Sequence, residues 1–141
     1  MMKDDLIDRN ALATFLNVSY GTLGVWHSIQ RYDLPCYKKG RQVYYAWDDI
    51  YRFISTDDED YRMLVELQDR TPLLDRKGIV QLTRQSLSYF LKHKDRFPEL
   101  KPRRVGSVIR YRRAEISQYL TWRKQQLNIY YERKLNPHLT I

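Results

Sequence analysis

The sequence predicts a mainly helical protein built from two tandem copies of one small unit, each carrying a β-hairpin, and ending in a long helix. Three observations indicate this: the chain repeats itself, each copy follows the order helix, helix, hairpin, helix, and the apolar residues of the predicted helices share one face. The chain has 141 residues. Each copy therefore has about 50 residues, near the lower limit for a self-sufficient core, and we expect the copies to pack on each other or on the linker and tail.

The repeat relates residues 6–54 to residues 73–120. The copies are 67 positions apart at their start, 64 apart through the second helix and 66 apart from the hairpin onward. This change predicts that the first helix of the second copy lacks the equivalents of Thr14-Phe15-Leu16. The matched segments are Leu6–Arg9 with Leu73–Arg76, Val18–Trp26 with Leu82–Phe90, and Gly40–Ile54 with Gly106–Leu120.

Charge divides the chain into the same parts. The net charge is +8, with +1 in residues 1–55, −4 in residues 56–72 and +11 in residues 73–141. We therefore predict a first domain, an acidic linker and a strongly basic second domain with a helical extension. A basic half of this density predicts a polyanionic partner.

The first copy begins with two helices separated by a short turn. Asp8 is a suitable N-cap for the first helix, and Asn17 is suited to end it. Ser19 is predicted to cap the second helix, in which Leu23 and Trp26 face inward. This order is typical of a helix-turn-helix.

A hairpin and a third helix complete the first copy. The stretch Lys38–Tyr45 reads as two strands around a basic glycine turn, and of Tyr44 and Tyr45 one is expected in the core. Trp47–Ile54 follows as a helix with Ile50, Phe53 and Ile54 inward. Each copy is therefore predicted to be a winged helix-turn-helix, and the fold class is tandem winged helix-turn-helix domains with a long C-terminal helix.

Two glycines weaken the second helix of the first copy. Gly21 and Gly24 each cost roughly 1 kcal/mol relative to alanine in a helix interior. Either the backbone approaches another surface closely there, or the helix packs against the first helix. The sequence leaves both explanations open.

The second copy is predicted to follow the same plan. Asp75 caps its first helix and Thr83 its second. The hairpin spans residues 103–111, and the closing helix starts near Arg113 and continues past Leu120. The residues predicted to face inward on its second helix are Leu87, Phe90 and Leu91.

The two remaining segments each allow two interpretations. The acidic residues 57–68 form either a short helix opened by Asp57 or a solvated linker. Their negative charge predicts that they lie away from a bound polyanion or against the basic units. The apolar stripe of the tail, from Ile116 to Tyr131, packs on the chain's own core or forms a homodimer contact.

Several classes of protein are excluded by what the sequence lacks. The single cysteine, Cys36, cannot form an internal disulfide, which indicates a reducing compartment. No apolar run is long enough for a bilayer, and we expect a cytoplasmic protein without membrane contact. We find no P-loop, nucleophile elbow or His-Glu motif, and His27 and His93 lack cysteine partners. We therefore expect neither an enzyme nor a cofactor or metal.

The first copy resembles the MerR-like winged helices of phage and mobile-element excisionases and AlpA-type regulators. The resemblance rests on Val18-Ser19, Thr22-Leu23 and Trp26, then Leu34-Pro35, then the Lys-x-Gly-Arg-x-Val-x-Tyr pattern of residues 38–45, then Asp49-Ile50 and Phe53-Ile54. It covers residues 6–54 well and residues 73–120 less well. It implies double-stranded DNA as the partner, with the second helix of each copy in the major groove and each hairpin on the backbone or the adjacent minor groove.

The resemblance also implies the contact residues. Because arginine and glutamine read guanine and adenine well, we predict that the second copy supplies most of the affinity. The helix contacts are Tyr20, Gly21, Thr22, His27, Ser28 and Arg31 in the first copy, and Arg84, Gln85, Ser88, Lys92 and His93 in the second. The hairpin contacts are Lys38, Lys39 and Arg41, and Arg103, Arg104, Arg110 and Arg112.

Three DNA-binding roles and one other role remain open. A transcriptional regulator of a phage or mobile element, working at the nucleoid or in a phage-infected cell, comes first. A recombination directionality factor that bends DNA beside an integrase, or another DNA-bound protein, comes second, and a DNA-packaging small subunit third. From another class, the chain is a protein-interaction adaptor on a helix-turn-helix scaffold.

Overall fold

The structure, a computed structural model, describes residues 5–29 and 32–135. Seven α-helices and two small antiparallel sheets occupy these residues. The chain is therefore mainly helical, as predicted. Arg31, one of the predicted contacts, lies outside the described residues.

The N-terminal unit, residues 6–54, packs three helices against a three-stranded sheet of order β1-β3-β2. Ile7 lies opposite Tyr45 in the register of that sheet. The elements are β1 (Leu6–Asp8), α1 (Arg9–Leu16), α2 (Tyr20–Ile29), β2 (Tyr37–Lys39), β3 (Gln42–Ala46) and α3 (Trp47–Ile54).

The C-terminal unit, residues 74–135, repeats this order after one connecting helix, α4 (Asp58–Leu67). A single antiparallel bridge joins Leu74 to Tyr111, at the positions equivalent to Ile7 and Tyr45. The elements are α5 (Arg76–Thr83), α6 (Leu87–His93), a 3-10 turn (Lys94–Arg96), β4 (Arg103–Val105), β5 (Val108–Arg110) and α7 (Arg113–Leu135).

Short polar side chains cap the helices where the sequence predicts them. The Asp8 carboxylate accepts the Ala11 N–H at 2.8 Å, and Asn17 ends α1 in the left-handed conformation with φ 57°. Ser19 Oγ accepts the Thr22 N–H at 3.0 Å. Asp57 and Asp75 cap α4 and α5 in the same way.

One predicted cap is wrong, and it corrects the alignment of the two copies. Thr83 is the last residue of α5, where its hydroxyl donates to the Ile79 carbonyl at 2.7 Å. The N-cap of α6 is Ser86, which accepts the Tyr89 N–H at 3.1 Å. Ser86 is therefore the equivalent of Ser19, and the two copies are 67 positions apart from their start through the second helix. The first helix is not shortened, since α1 and α5 both have eight residues.

Each unit has its own apolar core. Leu12, Leu16, Ile50 and Ile54 are fully buried in the N-terminal unit, and the predicted Leu23, Trp26 and Tyr45 are buried beside them. Phe53 is half-buried against the same cluster. The predictions for these inward residues are confirmed.

The core of the C-terminal unit corrects another prediction. Phe90 is fully buried, with its ring edge-on to Tyr111 at 5.5 Å between centroids. Leu87 packs against this core, but Leu91 is 45% exposed. Because successive helical residues point about 100° apart, Phe90 inward leaves Leu91 on the flank of the helix, and its predicted burial is wrong.

The second hairpin, β4-β5, packs into the N-terminal unit. Val105 is fully buried within the N-terminal core. At Gly106 an added Cβ would lie 2.5 Å from the Trp26 ring. The Leu73 N–H also donates to the Phe15 carbonyl at 2.8 Å. The two units therefore pack on each other, as expected from the short length of each copy.

The acidic segment forms one of its two predicted structures, the helix α4. Leu64 and Asp60 of this helix are buried, Leu64 within the N-terminal core. Asp60 accepts hydrogen bonds from Arg103 of β4, so the helix also lies against the basic C-terminal unit. Among the described residues, no helix combines the length and apolar character needed to cross a membrane.

Candidate nucleic-acid interface

The outer face of α2 is small and uncharged. Leu23 and Trp26 fix the inner face of this helix by their burial. Helical geometry places Gly21, Val25 and Ser28 on the opposite side, and all three are exposed. This face is open to a partner.

Two arginines border the N-terminal end of α2. The Arg9 guanidinium lies 5.7 Å from the ring centroid of Tyr20, and its Nε donates to the Tyr45 hydroxyl at 3.4 Å. Arg41 and Gln42 line one shallow depression of about 80 Å³ together with Arg9 and Tyr20. The carboxylate of Asp8, which caps α1, lines the same depression, so two arginines and one carboxylate leave a net positive charge where α2 begins.

The first hairpin, β2-β3, presents its cations to solvent. Lys38, Lys39 and Arg41 are all exposed. At Gly40, with φ 66°, no heavy atom lies within 4 Å of an added Cβ. This hairpin is therefore free to touch a partner, and its three predicted contacts are available.

Two other predicted contacts of the N-terminal unit already have partners. The Thr22 hydroxyl lies 2.7 Å from Ser19 Oγ, within the cap of α2. His27 is exposed, with Nδ1 3.5 Å from Cys36 Sγ, so the expectation that His27 lacks a cysteine partner is wrong. Tyr20 and Ser28 are exposed as predicted.

The outer face of α6 carries charge. Ser88 and Lys92 are exposed, opposite the buried Phe90. The Tyr89 ring stacks on half-buried His93 with 4.1 Å between centroids. Its hydroxyl accepts a hydrogen bond of 2.6 Å from Arg123, which fixes α7 beside α6.

Arg84 and Gln85 are not part of the second helix of their unit. Arg84 is exposed at the end of α5, in the left-handed conformation with φ 56°. The Gln85 side chain accepts a hydrogen bond of 3.4 Å from the Tyr119 hydroxyl. Their predicted role as the first residues of a recognition helix is therefore wrong, because that helix begins three residues beyond Arg84.

Arg103 is unavailable as a hairpin contact. Its side chain is fully buried and donates to both carboxylate oxygens of Asp60 and, at 2.9 Å, to Glu115. It also donates to the Ile54 carbonyl at 3.2 Å. A buried guanidinium needs such partners, and here they join α3, α4 and α7. The predicted contact is wrong.

Arg112 and Arg110 belong to the same set of contacts between the units, which we call the junction. Arg112, 7% exposed, donates to Glu115 at 2.9 Å and to Asp69 at 3.1 Å. Arg110 donates to the Asn17 carbonyl at 2.8 Å and to the Leu16 carbonyl at 3.2 Å. Burial lowers the pKa of Arg110. Both predicted contacts are therefore wrong, and of the four cations predicted in the second hairpin only Arg104 is exposed.

The junction also controls the charge of Asp60. Burial acts to raise the pKa of this carboxyl, but hydrogen bonds from Arg103 and the Thr56 N–H, with the charges of Arg103 and Lys101, lower it overall. The pKa of Asp69 is likewise lowered, since contacts with Thr71 and Arg112 outweigh its burial. Both carboxylates are therefore charged at neutral pH and hold the units together.

Even without these three arginines, the C-terminal unit presents an excess of positive charge. From residue 73 to residue 135 the structure describes every residue, and the exposed cations outnumber the exposed carboxylates by ten to three. The cations are Arg76, Lys77, Arg84, Lys92, Arg96, Arg104, Arg113, Lys124, Arg133 and Lys134, and the carboxylates are Asp95, Glu99 and Glu132.

Sequence reasoning missed three residues of this surface. Arg9 follows the N-cap Asp8 and has no local signal of a surface role, and only the fold brings it beside Tyr20 of α2 and Arg41 of the first hairpin. Val25 was missed because apolar residues of an amphipathic helix are expected inward. Arg123 stands at the helical spacing where the apolar stripe of the tail would continue after Ile116 and Leu120, and this interruption is the signal that could have found it.

No family model, curated protein or solved structure matches this chain.

Proposed function

We propose that the protein binds double-stranded DNA in a sequence-specific manner and acts as a transcriptional regulator. One observation carries the proposal: exposed cations surround two capped helices whose outer faces are open. Arg41 lies beside the start of α2, Lys38 and Lys39 are exposed in the same hairpin, and Arg84 and Lys92 lie at α6. Clustered cations beside an open helix are the electrostatic pattern of a DNA-binding surface.

In this proposal each unit is a winged helix-turn-helix with a different use of its wing. The exposed parts of α2 and α6 enter the major groove, and the first hairpin contacts phosphates beside α2. The second hairpin joins the units instead of touching DNA. Arg84 then contacts a phosphate near the start of α6 rather than a base.

The contacts that join the units predict the form of the DNA site. Since two helix-turn-helix units address half-sites about one turn apart, the contacts between the units set one spacing. The outer faces of α2 and α6 differ in sequence, so the two half-sites also differ. We therefore expect a bipartite, non-palindromic site.

Selection from a random DNA pool tests the proposal. The full chain is incubated with the pool at about 150 mM salt, bound duplexes are sequenced, and affinity for the winner is titrated against salt. We expect a bipartite motif and a steep loss of affinity as salt rises. Enrichment of no motif, with weak binding that vanishes as salt rises, would contradict the proposal.

A DNA-bending role uses the same surface and differs in one measurement. A recombination directionality factor would bend its site, whereas regulation needs no bend. Mobility of circularly permuted fragments carrying the selected site separates the two. Position-dependent mobility would favour the bending role.

A protein-binding adaptor is favoured by the far end of α7. Every residue from Lys124 to Leu135 is exposed, including the apolar or aromatic side chains Leu127, Tyr130, Tyr131 and Leu135. A partner helix, including that of a second copy, would cover these side chains. The adaptor predicts a tight protein complex and no DNA binding near physiological salt.

A further inference from the structure

Val25 is the apolar side chain that protrudes from the outer face of α2. It is 57% exposed, while its neighbours on that face, Gly21 and Ser28, have shorter side chains. A single exposed valine is ordinary on a protein surface. At the centre of the proposed recognition face, however, this side chain would contact a bound partner directly.

The corrected alignment of the two units sharpens the contrast at this position. At the offset of 67 that relates Ser19 to Ser86, Val25 corresponds to Lys92. Lys92 is also exposed. The two helices therefore present opposite chemistry at one equivalent point, apolar in α2 and cationic in α6.

The two glycines beside Val25 have no internal reason to be glycine. The nearest atom to an added Cβ is Ser19 Oγ at 4.0 Å for Gly21 and Arg9 Nη1 at 3.8 Å for Gly24. Packing against α1 therefore does not require them, although each weakens the helix relative to alanine. Close approach of an external surface remains as their explanation.

The charges beside this face indicate which surface approaches. Arg9 and Arg41 line the depression at its N-terminal end together with Asp8, and Lys38 and Lys39, in the same hairpin as Arg41, are exposed. These cations fit the phosphates that flank a major groove. The uncharged α2 face would then lie over the base edges between them.

We propose that Val25 determines specificity by packing against the 5-methyl group of a thymine in the major groove. This inference rests on the proposed DNA binding and names what α2 reads. The thymine methyl is the apolar group that base pairs display in that groove, whereas guanine and adenine display hydrogen-bonding atoms. The α2 half of the site therefore contains an A·T pair, and Lys92 gives α6 a preference for guanine.

Replacing thymines of the selected duplex by deoxyuridine, one at a time, tests this proposal. The replacement removes the methyl group and keeps the base pairing. For the wild-type chain we expect about a fourfold loss of affinity at one thymine of the α2 half-site, the effect of one buried methyl group. For Val25→Ala the same replacement should cause no further loss. For Lys92→Ala, the matched control in α6, the fourfold loss should persist.

Three results would overturn the inference, and they separate it from the proposed function. If the chain binds a defined site and no deoxyuridine weakens binding, DNA recognition stands but the role of Val25 is wrong. If Val25→Ala, folded by circular dichroism, keeps the full deoxyuridine effect, another residue contacts the methyl. If the chain selects no DNA at all, both proposals fail.

Discussion

The two hairpins occupy equivalent places in the two units and have opposite surroundings. Their turns carry glycines with nearly the same φ, 66° at Gly40 and 61° at Gly106. No atom lies within 4 Å of an added Cβ at Gly40, whereas at Gly106 the Trp26 ring is 2.5 Å away. The turn of the first hairpin is open to solvent, whereas the turn of the second is part of the contact between the units.

One pair of equivalent side chains shows how the difference arises. In the N-terminal unit the Tyr37 hydroxyl donates to Asp49 at 3.3 Å, on an exposed surface. At the same positions in the C-terminal unit, Arg103 donates to Glu115 at 2.9 Å in a buried site. Both units keep this contact between the first strand of the hairpin and the following helix. In the C-terminal unit the contact is buried and Arg103 also binds the Asp60 carboxylate, so it becomes part of the junction. A basic residue in a repeat therefore does not by itself mark a DNA contact.

Removal of the Arg103 guanidinium should have the largest effect on stability. Arg103→Met leaves the carboxylates of Asp60 and Glu115 buried without their main partner, which typically costs about 3–5 kcal/mol. Urea unfolding measures this loss. The matched control is Arg104→Met on the next residue, which is exposed and should change the free energy of unfolding by less than about 0.5 kcal/mol. Equal effects of the two changes would show that the junction does not depend on Arg103.

Alanine at the two turn glycines should separate backbone strain from docking. Gly40→Ala should cost about 1–2 kcal/mol, since it forces a side chain into the left-handed conformation. Gly106→Ala carries the same strain plus a clash with Trp26, which adds about 1–3 kcal/mol. Thermal unfolding of both variants measures the difference. A Gly106 variant as stable as the Gly40 variant would mean that the second hairpin is not held against α2.

Acid should weaken the junction between the units. Because the pKa values of Asp60 and Asp69 are lowered in the folded protein, their contribution is fully present above the ordinary aspartate value of 3.8. It is lost as the pH falls through the lower folded values. The free energy of unfolding should therefore decrease below pH 3.8, and Asp60→Asn should flatten this decrease. A slope unchanged in Asp60→Asn would argue against a charged Asp60 in the folded state.

The relative affinity of the two units gives the smallest expected effect. Arg84→Glu should weaken DNA binding about tenfold, through the loss of one phosphate contact and the added repulsion, and more than any single change in residues 19–31. Fluorescence anisotropy on the selected duplex measures the affinities. Tyr20→Ala and Thr22→Ala are the informative comparisons, and a larger effect from either would place most of the affinity in the N-terminal unit.

Local signals made much of the fold predictable. Asp8, Asp57 and Asp75 each precede a helix, and a short acceptor side chain at that position caps the helix by accepting a backbone N–H of its first turn. The glycine turns and the long closing helix follow from similarly local rules. Thr83 was the exception because Ser86, three residues later, has the same capping chemistry. Choosing between them requires knowing that Phe90 aligns with Leu23 in the core.

The function of the arginines was much less predictable. Arg103 and Arg104 are neighbours with the same chemistry, yet one is fully buried and the other exposed. What separates them is Asp60, 43 residues earlier in the chain, a partner that no local pattern reveals. The partners of Arg110 and Arg112 are hidden in the same way. Charge density therefore predicted the exposure of the first hairpin's cations well, and that of three of the four cations assigned to the second hairpin wrongly.

The salt dependence of DNA binding tests the different use of the two hairpins most directly. Affinity for the selected duplex is measured over a salt series for the wild type, Lys38→Ala, Lys39→Ala, Arg41→Ala and Arg104→Ala. We predict that each change in the first hairpin reduces the slope of log Kd against log salt by about one, the effect of one lost phosphate contact. Arg104→Ala should leave the slope unchanged. A reduced slope for Arg104→Ala, with unchanged slopes for the first hairpin, would contradict the account.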